Sequence, residues 1–280
     1  MKERYSFSSR RTRRIDNIRK QKQKYPSIAY KIIENSDIIL EILDARFPED
    51  TRNPELEELI QKENKKIIYV FNKSDLIDKR KLRKFNYLNP SITLSCKSHQ
   101  NIKELRNLIK RIAKRIQNPI NKDKSGKVTV GVIGYPNTGK SSLINILIGK
   151  SSAGVGSDAG FTKNIQKLKL SEEINLLDSP GVIPKQEYSS ADSEKISTHT
   201  KLGGRSYSQV KEPEIVVANL MKDYATQIEK FYKIQAKGDS EILIEELGKQ
   251  KGFKKSKGLI DEDKTARLIL KDWQQGKIKI

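Results

Sequence analysis

From residue 26 onward the chain alternates two apolar patterns. Short runs rich in β-branched residues recur at "DIILEILDA" (37–45), "KIIYVFN" (66–72), "SITLS" (91–95) and "VTVGVIG" (128–134). They are continuous rather than alternating, as in strands covered on both faces. Between them lie segments of helical spacing. "PSIAYKIIENS" carries Pro26 near its first turn, and "NPELEELIQKEN" offers Asn53 as cap with Pro54 at the first helical position. A helix is predicted around 78–88. "NIKELRNLIKRIAKRI" (101–116) places apolar residues at 102, 105, 108, 109, 112 and 116, and "KSSLINILIG" follows the fourth strand. "NIQKLKL" and "EINLLD" read as a strand pair with a short turn. The expectation is an α/β fold, a six-stranded, mostly parallel sheet with helices on both faces.

After "DSPGVIPK" the pattern changes. "EPEIVVANLMKDYATQIEKFYKI", "SEILIEELGKQ" and "EDKTARLILKDWQQG" are helical, with Gly238, Gly248, Gly252 and Gly258 as punctuation. This predicts a boundary near 186: a basic arm at 1–25, an α/β unit at 26–186 and a smaller all-α unit at 187–280.

Charge adds a partner class. The net charge is +21 over 280 residues. Residues 1–24 carry ten Lys/Arg against Glu3 and Asp16, and "GKQKGFKKSKG" (248–258) is a second basic run. Such fields attract polyanions, which points to RNA or ribosome contact. The bland alternative is a solvated basic surface. The single cysteine, Cys96, excludes an intramolecular disulfide and fits a reducing compartment. No apolar run has the length of a membrane span, so no membrane partner is expected. A cytoplasmic location is the default expectation, with the Ser/Arg-rich opening faintly resembling a mitochondrial transit peptide.

The chemistry starts at "GYPNTGKS" (134–141), which satisfies G-x-x-x-x-G-K-[S/T] between a strand and a helix. There the backbone N–H groups of Pro136–Ser142, apart from proline's missing one, converge on phosphates. Lys140 brings a charge to the β and γ phosphates, and Ser141 offers a hydroxyl to Mg²⁺. Thr162 in "AGFTK" is the candidate switch threonine for Mg²⁺ and the γ-phosphate; its alternative is an ordinary loop threonine. "LLDSPG" (176–181) ends a strand in Asp-x-x-Gly: Asp178 can hold a Mg²⁺-bound water, and Gly181 can turn its N–H to the γ-phosphate. "NKSD" (72–75) supplies a guanine reader. Asp75 accepts from the ring N–H and exocyclic amine of guanine, donors that adenine lacks there. Asn72 supports the loop and Lys73 lays its stem along the base. "SCKS" (95–98) follows the next strand, where GTPases carry a second base loop, so Ser95, Cys96 and Lys97 join the candidates. Cys96 reads as a small buried residue rather than a catalyst.

The order is unusual. The base reader precedes the phosphate loop by about 60 residues, the reverse of an ordinary GTPase. The elements therefore describe a circularly permuted P-loop GTPase domain, whose second switch leads directly into the helical unit. With "LDARFPEDTRNPELE", "NKSDL", "GYPNTGKSSLIN", "DSPGV", "VKEPE" and "KTARLILKDWQQGKI", the chain over roughly 26–280 resembles the circularly permuted GTPases of ribosome assembly. These comprise bacterial ribosome-biogenesis GTPase A, eukaryotic nucleolar GTPase 2 and the nucleostemin group. That resemblance implies GTP hydrolysis linked to large-subunit maturation. Its helical unit and basic extensions would contact the large ribosomal subunit precursor and its rRNA, and the protein would be monomeric away from it.

Two departures stand out. Position 182 is valine, where Ras-like enzymes carry a water-orienting glutamine, so slow intrinsic hydrolysis is expected. The histidine that follows a Pro-Gly in the bacterial branch has no counterpart, and His99 and His199 read as surface or packing residues. The catalytic group is thus unassigned. Asn137 is the candidate, since potassium-activated GTPases that this loop resembles carry an asparagine whose oxygen ligates K⁺; the plainer reading is that it shapes the loop. Two functions follow: a GTP/GDP-switched assembly factor, or a constitutive RNA-binding scaffold with GTP as a structural ligand. A tRNA-modification GTPase is disfavoured, because no methyl-donor, folate or cysteine-nucleophile signature accompanies the core. For Asp44-Ala45-Arg46, structural and partner-contact roles both remain open.

Overall fold

In the computed structural model, which describes residues 28–116, 126–149, 166–178, 193–255 and 258–280, the β-branched runs build one six-stranded sheet. Its strands are β1 (Ile38–Asp44), β2 (Lys66–Asn72), β3 (Ser91–Thr93), β4 (Val128–Gly134), β5 (Gln166–Lys169) and β6 (Ile174–Asp178). They lie in the order β3-β2-β1-β4-β6-β5, and only the β5–β6 pairing is antiparallel. The α/β fold expected from the sequence is the one observed. β3 ends at Thr93, short of residue 95, because Ser95 leaves the ladder to bridge Gln100.

Both faces of the sheet are covered, which explains the continuous apolar runs. Ile38, Leu40 and Ile42 of β1 point to one side, where α4 (Ile102–Ala113) and α5 (Lys140–Ile148) pack. Ile39 points to the other, where α1 (residues 28–34) and, after the one-turn α2 (Pro48–Thr51), α3 (Pro54–Lys62) pack. α3 starts as its sequence dictates, with Pro54 in the first turn and the Asn53 side chain accepting from Leu56 N. Residues 79–85 differ from expectation: they form 3₁₀ turns, not an α-helix. Leu82 and Phe85 are both buried and three positions apart, matching three residues per turn.

The helical region comprises α6 (Ser193–Leu202), α7 (Pro213–Tyr232), α8 (Ser240–Lys251) and α9 (Glu262–Gln274). Its core surrounds the fully buried Trp273. Two residues of the α/β part belong to that core: Phe47, which follows β1 by three positions, and Tyr135 of the phosphate loop. Phe47 lies 6.1 Å from the Trp273 ring and 6.2 Å from Tyr224. The arm at 1–25 and the boundary near 186 lie outside the described residues. No helix among the described residues is long and apolar enough to cross a membrane.

Candidate functional site

β1 stands between β2 and β4, so the loops that leave Asn72 and Gly134 open at the same, carboxyl edge of the sheet. That edge is where open parallel sheets bind ligands. A cavity of about 370 Å³ lies there, lined by Asn72, Lys73, Asp75, Leu76, Cys96, Lys97, Asn137, Gly139 and Ser142. The volume falls in the range usual for small-molecule sites, about 300–1,000 Å³. Residues separated by 60 positions in sequence thus meet on one wall.

Asn72 makes the join. It is buried, its Nδ2 donates to Thr138 O at 2.7 Å, and its Oδ1 accepts from Cys96 N at 3.1 Å. One amide therefore ties the phosphate loop to both base-side loops. Gly139 fits the same join, because its φ is +98° and a β-carbon there would collide with Asn72 Nδ2. Asp75 is aimed by Ser95, whose Oγ donates to Asp75 Oδ1 at 2.6 Å and accepts from Ser98 N at 3.2 Å. Ser95 itself is buried behind the cavity.

The phosphate loop is closed by its own atoms. Thr138 Oγ1 donates to Tyr135 O at 2.9 Å. Lys140 Nζ is buried and donates to the carbonyls of Tyr135 at 2.9 Å and Gly134 at 3.2 Å. Burial lowers the Lys140 pKa to about 8, opposed by the Asp178 carboxylate and reinforced by Lys73. Asp178 is fully buried at the end of β6, so the strand-end carboxylate and the loop lysine do share one site. Pro136 is buried in the loop, and Ser141 is half-buried in the first turn of α5. Thr162, Gly181 and Val182 lie outside the described residues.

Lys73 adopts a left-handed conformation, φ +64°, and its Nζ donates to Asp44 Oδ2 at 2.8 Å. Asp44 also accepts from Arg46 Nη2 at 2.8 Å and Nε at 3.0 Å, and Arg46 Nη1 donates to Trp273 O at 3.1 Å. The Asp44-Ala45-Arg46 segment thus has a structural role: it connects the base loop to α9. Burial acts to raise the Asp44 pKa, but Arg46 and Lys73 outweigh it and hold the carboxyl well below the usual carboxylate range. Burial likewise lowers the Lys73 pKa against the attraction of Asp44.

The histidines separate. His99 is exposed, whereas His199 of α6 packs on the phosphate loop, its Nδ1 2.7 Å from Tyr135 Oη. Asn137, φ +59°, donates from Nδ2 to Gly203 O at 2.7 Å. Cys96 is half-buried on the cavity wall rather than fully buried, and that burial pushes its thiol up to about 12.

Sequence reasoning missed one wall. Tyr207, Gln274, Gln275 and Gly276 of the helical region line the same cavity. Gly276, φ +67°, sits so close to Leu76 that a β-carbon would lie 2.6 Å from Leu76 Cδ1, and Ile280 N donates to Leu76 O at 2.9 Å. The signal was present in "WQQG", a helix end followed by a glycine, but nothing local said what it would touch.

Comparison with known proteins accords with this geometry. A family model described as a 50S ribosome-binding GTPase matches residues 129–246. It begins at β4, so the half that carries the "NKSD" and "SCKS" loops, which precedes β4 in this chain, falls outside the match. An uncharacterized GTP-binding protein of Methanocaldococcus jannaschii is 36% identical over 264 residues, covering 93% of this chain and 68% of the relative. Nucleolar GTP-binding protein 2 of Candida glabrata is 34% identical over 262 residues, covering 89% of this chain and 50% of the relative. The chain thus spans about half the length of that nucleolar relative. Among solved structures, GNP-bound YlqF from T. maritima aligns over 91% of this chain and 94% of its own, with TM-score 0.63 and 19% identity, which shows the fold. The expectation of a generic cytoplasmic location is corrected by these relatives, since the eukaryotic ones named nucleolar GTP-binding protein 2 point to the nucleolus instead. By sequence and by strand order, this chain belongs to the circularly permuted GTPase family of nucleolar GTP-binding protein 2 and the nucleostemin-like proteins.

Proposed function

We propose that this chain binds and hydrolyses GTP as an assembly factor for the large ribosomal subunit, with its hold on pre-ribosomal RNA switched by the nucleotide. The observation that carries the reading is Asn72, which joins the base-side loops to the phosphate loop around one cavity with Asp75 on its wall. Guanine would give its ring N–H and exocyclic amine to Asp75, and the phosphates would displace the loop carbonyls from Lys140. Mg²⁺ fits the hard oxygen donors present, the Ser141 hydroxyl and, through water, the fully buried Asp178 carboxylate. Held there, it would supply positive charge against the charge that develops on the phosphates during hydrolysis.

Residues 26–186 would form the GTP-binding unit and 187–280 the helical unit. The basic arm at 1–25 and the run at 248–258 would supply salt-sensitive RNA affinity. Off the particle the protein would be monomeric, and hydrolysis slow until the particle stimulates it. Asn137 would recruit K⁺ beside the phosphates, with Gly203 fixing its amide. The description of the matching family model, a 50S ribosome-binding GTPase, supports the ribosomal setting.

Sedimentation with large-subunit precursors tests the switch. Co-sedimentation should be strong with a non-hydrolysable GTP analogue and weak with GDP, and equal binding would replace the switch with the constitutive scaffold. Single-turnover hydrolysis should be faster with particles, and faster in KCl than in NaCl at equal ionic strength. Equal rates in the two salts would remove K⁺ from the site.

A further inference from the structure

The helical wall of the cavity has more than a packing role. We propose that the turn after α9 is part of the nucleoside-binding site, with Gln275 as the contacting side chain, so that a bound guanine nucleotide holds the helical region through its base end. The inference rests on the reading of the cavity as a guanine-nucleotide site.

Three observations converge. First, Gln274 and Gln275 are neighbours with opposite commitments. Gln274 is spent on the wall itself: its Nε2 donates to Thr200 O and Arg205 O, each at 2.8 Å, and its Oε1 accepts from Tyr207 N at 3.1 Å. The Gln275 side chain is exposed, lines the cavity and makes no hydrogen bond to a described residue. A primary amide carries two donors and an acceptor, and one held at the mouth of a purine cavity can meet guanine or ribose atoms of either polarity. Second, the wall is placed rigidly. Gly276 packs against Leu76, the residue after Asp75, and Ile280 N bonds Leu76 O. Trp273 O is held by Arg46, which shares Asp44 with Lys73. The turn therefore registers directly on the base loop. Third, Tyr207 brings an aromatic ring to the same wall, a surface on which purines gain contact energy.

The phosphate end and the base end of the ligand would then do different things. The switches respond to the γ-phosphate, whereas the α9 turn touches a part that GTP and GDP share. Occupancy itself, independent of hydrolysis, would tighten a docking that the Arg46–Trp273 and Ile280–Leu76 hydrogen bonds already make.

The test is calorimetric titration of GDP into wild type, Gln275→Ala and Lys140→Ala. Gln275→Ala should weaken GDP binding about fivefold, the size of one side-chain hydrogen bond, with the ligand-free melting temperature unchanged. Lys140→Ala should abolish binding. If wild type binds no GDP, the guanine-nucleotide reading fails and the inference falls with it. If wild type binds and Gln275→Ala binds equally well, the reading stands and the inference is overturned. Hydrogen exchange supplies the second arm: amides of residues 274–280 should be protected equally by GDP and by a GTP analogue. Protection by the analogue alone would overturn the base-end mechanism.

Discussion

Asp44→Asn keeps the shape of a side chain and removes its charge, which makes it a direct probe of the link between base loop and helical region. The carboxylate meets Arg46 Nη2 and Lys73 Nζ, each at 2.8 Å. Two unit charges about 4 Å apart attract by about 4 kcal/mol at an effective dielectric of about 20. With two partners the gross attraction is about 8 kcal/mol, against burial costs of several kcal/mol per ion. Removing one partner of a buried pair typically costs about 3–5 kcal/mol, because the remaining charge stays desolvated. Here the Lys73 side chain is 19% exposed and recovers some hydration, whereas that of Arg46 at 1% cannot. The expected loss is about 3 kcal/mol, read from urea midpoints at pH 7. A loss below about 1 kcal/mol would refute the reasoning, since a surface pair is worth that much. The acid limb gives an independent check. The Asp44 pKa is depressed on folding, so its contribution is complete above the unfolded value of about 3.9 and is lost as pH falls below it. Wild type should lose stability in acid more steeply than Asp44→Asn, and the two curves should approach one another. Parallel acid limbs would show that Asp44 is not the group responsible.

Other outcomes follow from the same geometry. Asn72→Ala strands Thr138 O and Cys96 N and should cost about 1–3 kcal/mol, with GDP affinity falling alongside; an unchanged denaturation midpoint argues against the join. The Cys96 thiol, raised to about 12 by burial, should be alkylated by iodoacetamide at pH 8 at least about 100-fold more slowly than a free cysteine, and a rate within tenfold of free contradicts the burial. Gly204→Ala would put a β-carbon 2.7 Å from Oη of the buried Tyr135, so a loss of about 1–3 kcal/mol is expected. Tolerance of alanine there would mean that the turn can move away from the phosphate loop.

The sheet was legible because its signals are local. Continuous β-branched runs marked β1, β2 and β4 almost to the residue, and the Asn53-Pro54 start of α3 carried its own cap. The phosphate and base motifs were legible for a related reason: each sits at a strand end, where chemistry and turn geometry demand particular residue types. What local pattern could not supply was partnership across distance. Arg46 reaching Trp273 O spans 227 positions, and Tyr135 meeting His199 spans 64. Neither residue type announces its partner. α6, "SEKISTHTKL", carries no apolar stripe to mark it, because polar residues interrupt the spacing, yet it packs on α7 and α9 and carries His199 to the phosphate loop. The 3₁₀ turns at 79–85 carry no distinct signal, because Leu82 and Phe85, three positions apart, suit an α-helix as well as they suit 3₁₀ turns.

The pairing of β1 with β4 has a mechanical consequence. Ile38 meets Val130 and Ile42 meets Gly134, yet 83 residues of chain, 45–127, separate the two strands. The centre of the sheet is a seam between two halves that are otherwise each continuous. The loops proposed to read guanine belong to one half and the phosphate-loop motif to the other. A nucleotide seated across both, as proposed, would act as a rivet through that seam. Its contribution is set by mass action: a ligand at one hundred times its dissociation constant adds about 2.7 kcal/mol to the folded state. The cellular guanine-nucleotide level would then set how tightly the two halves of the protein are held together.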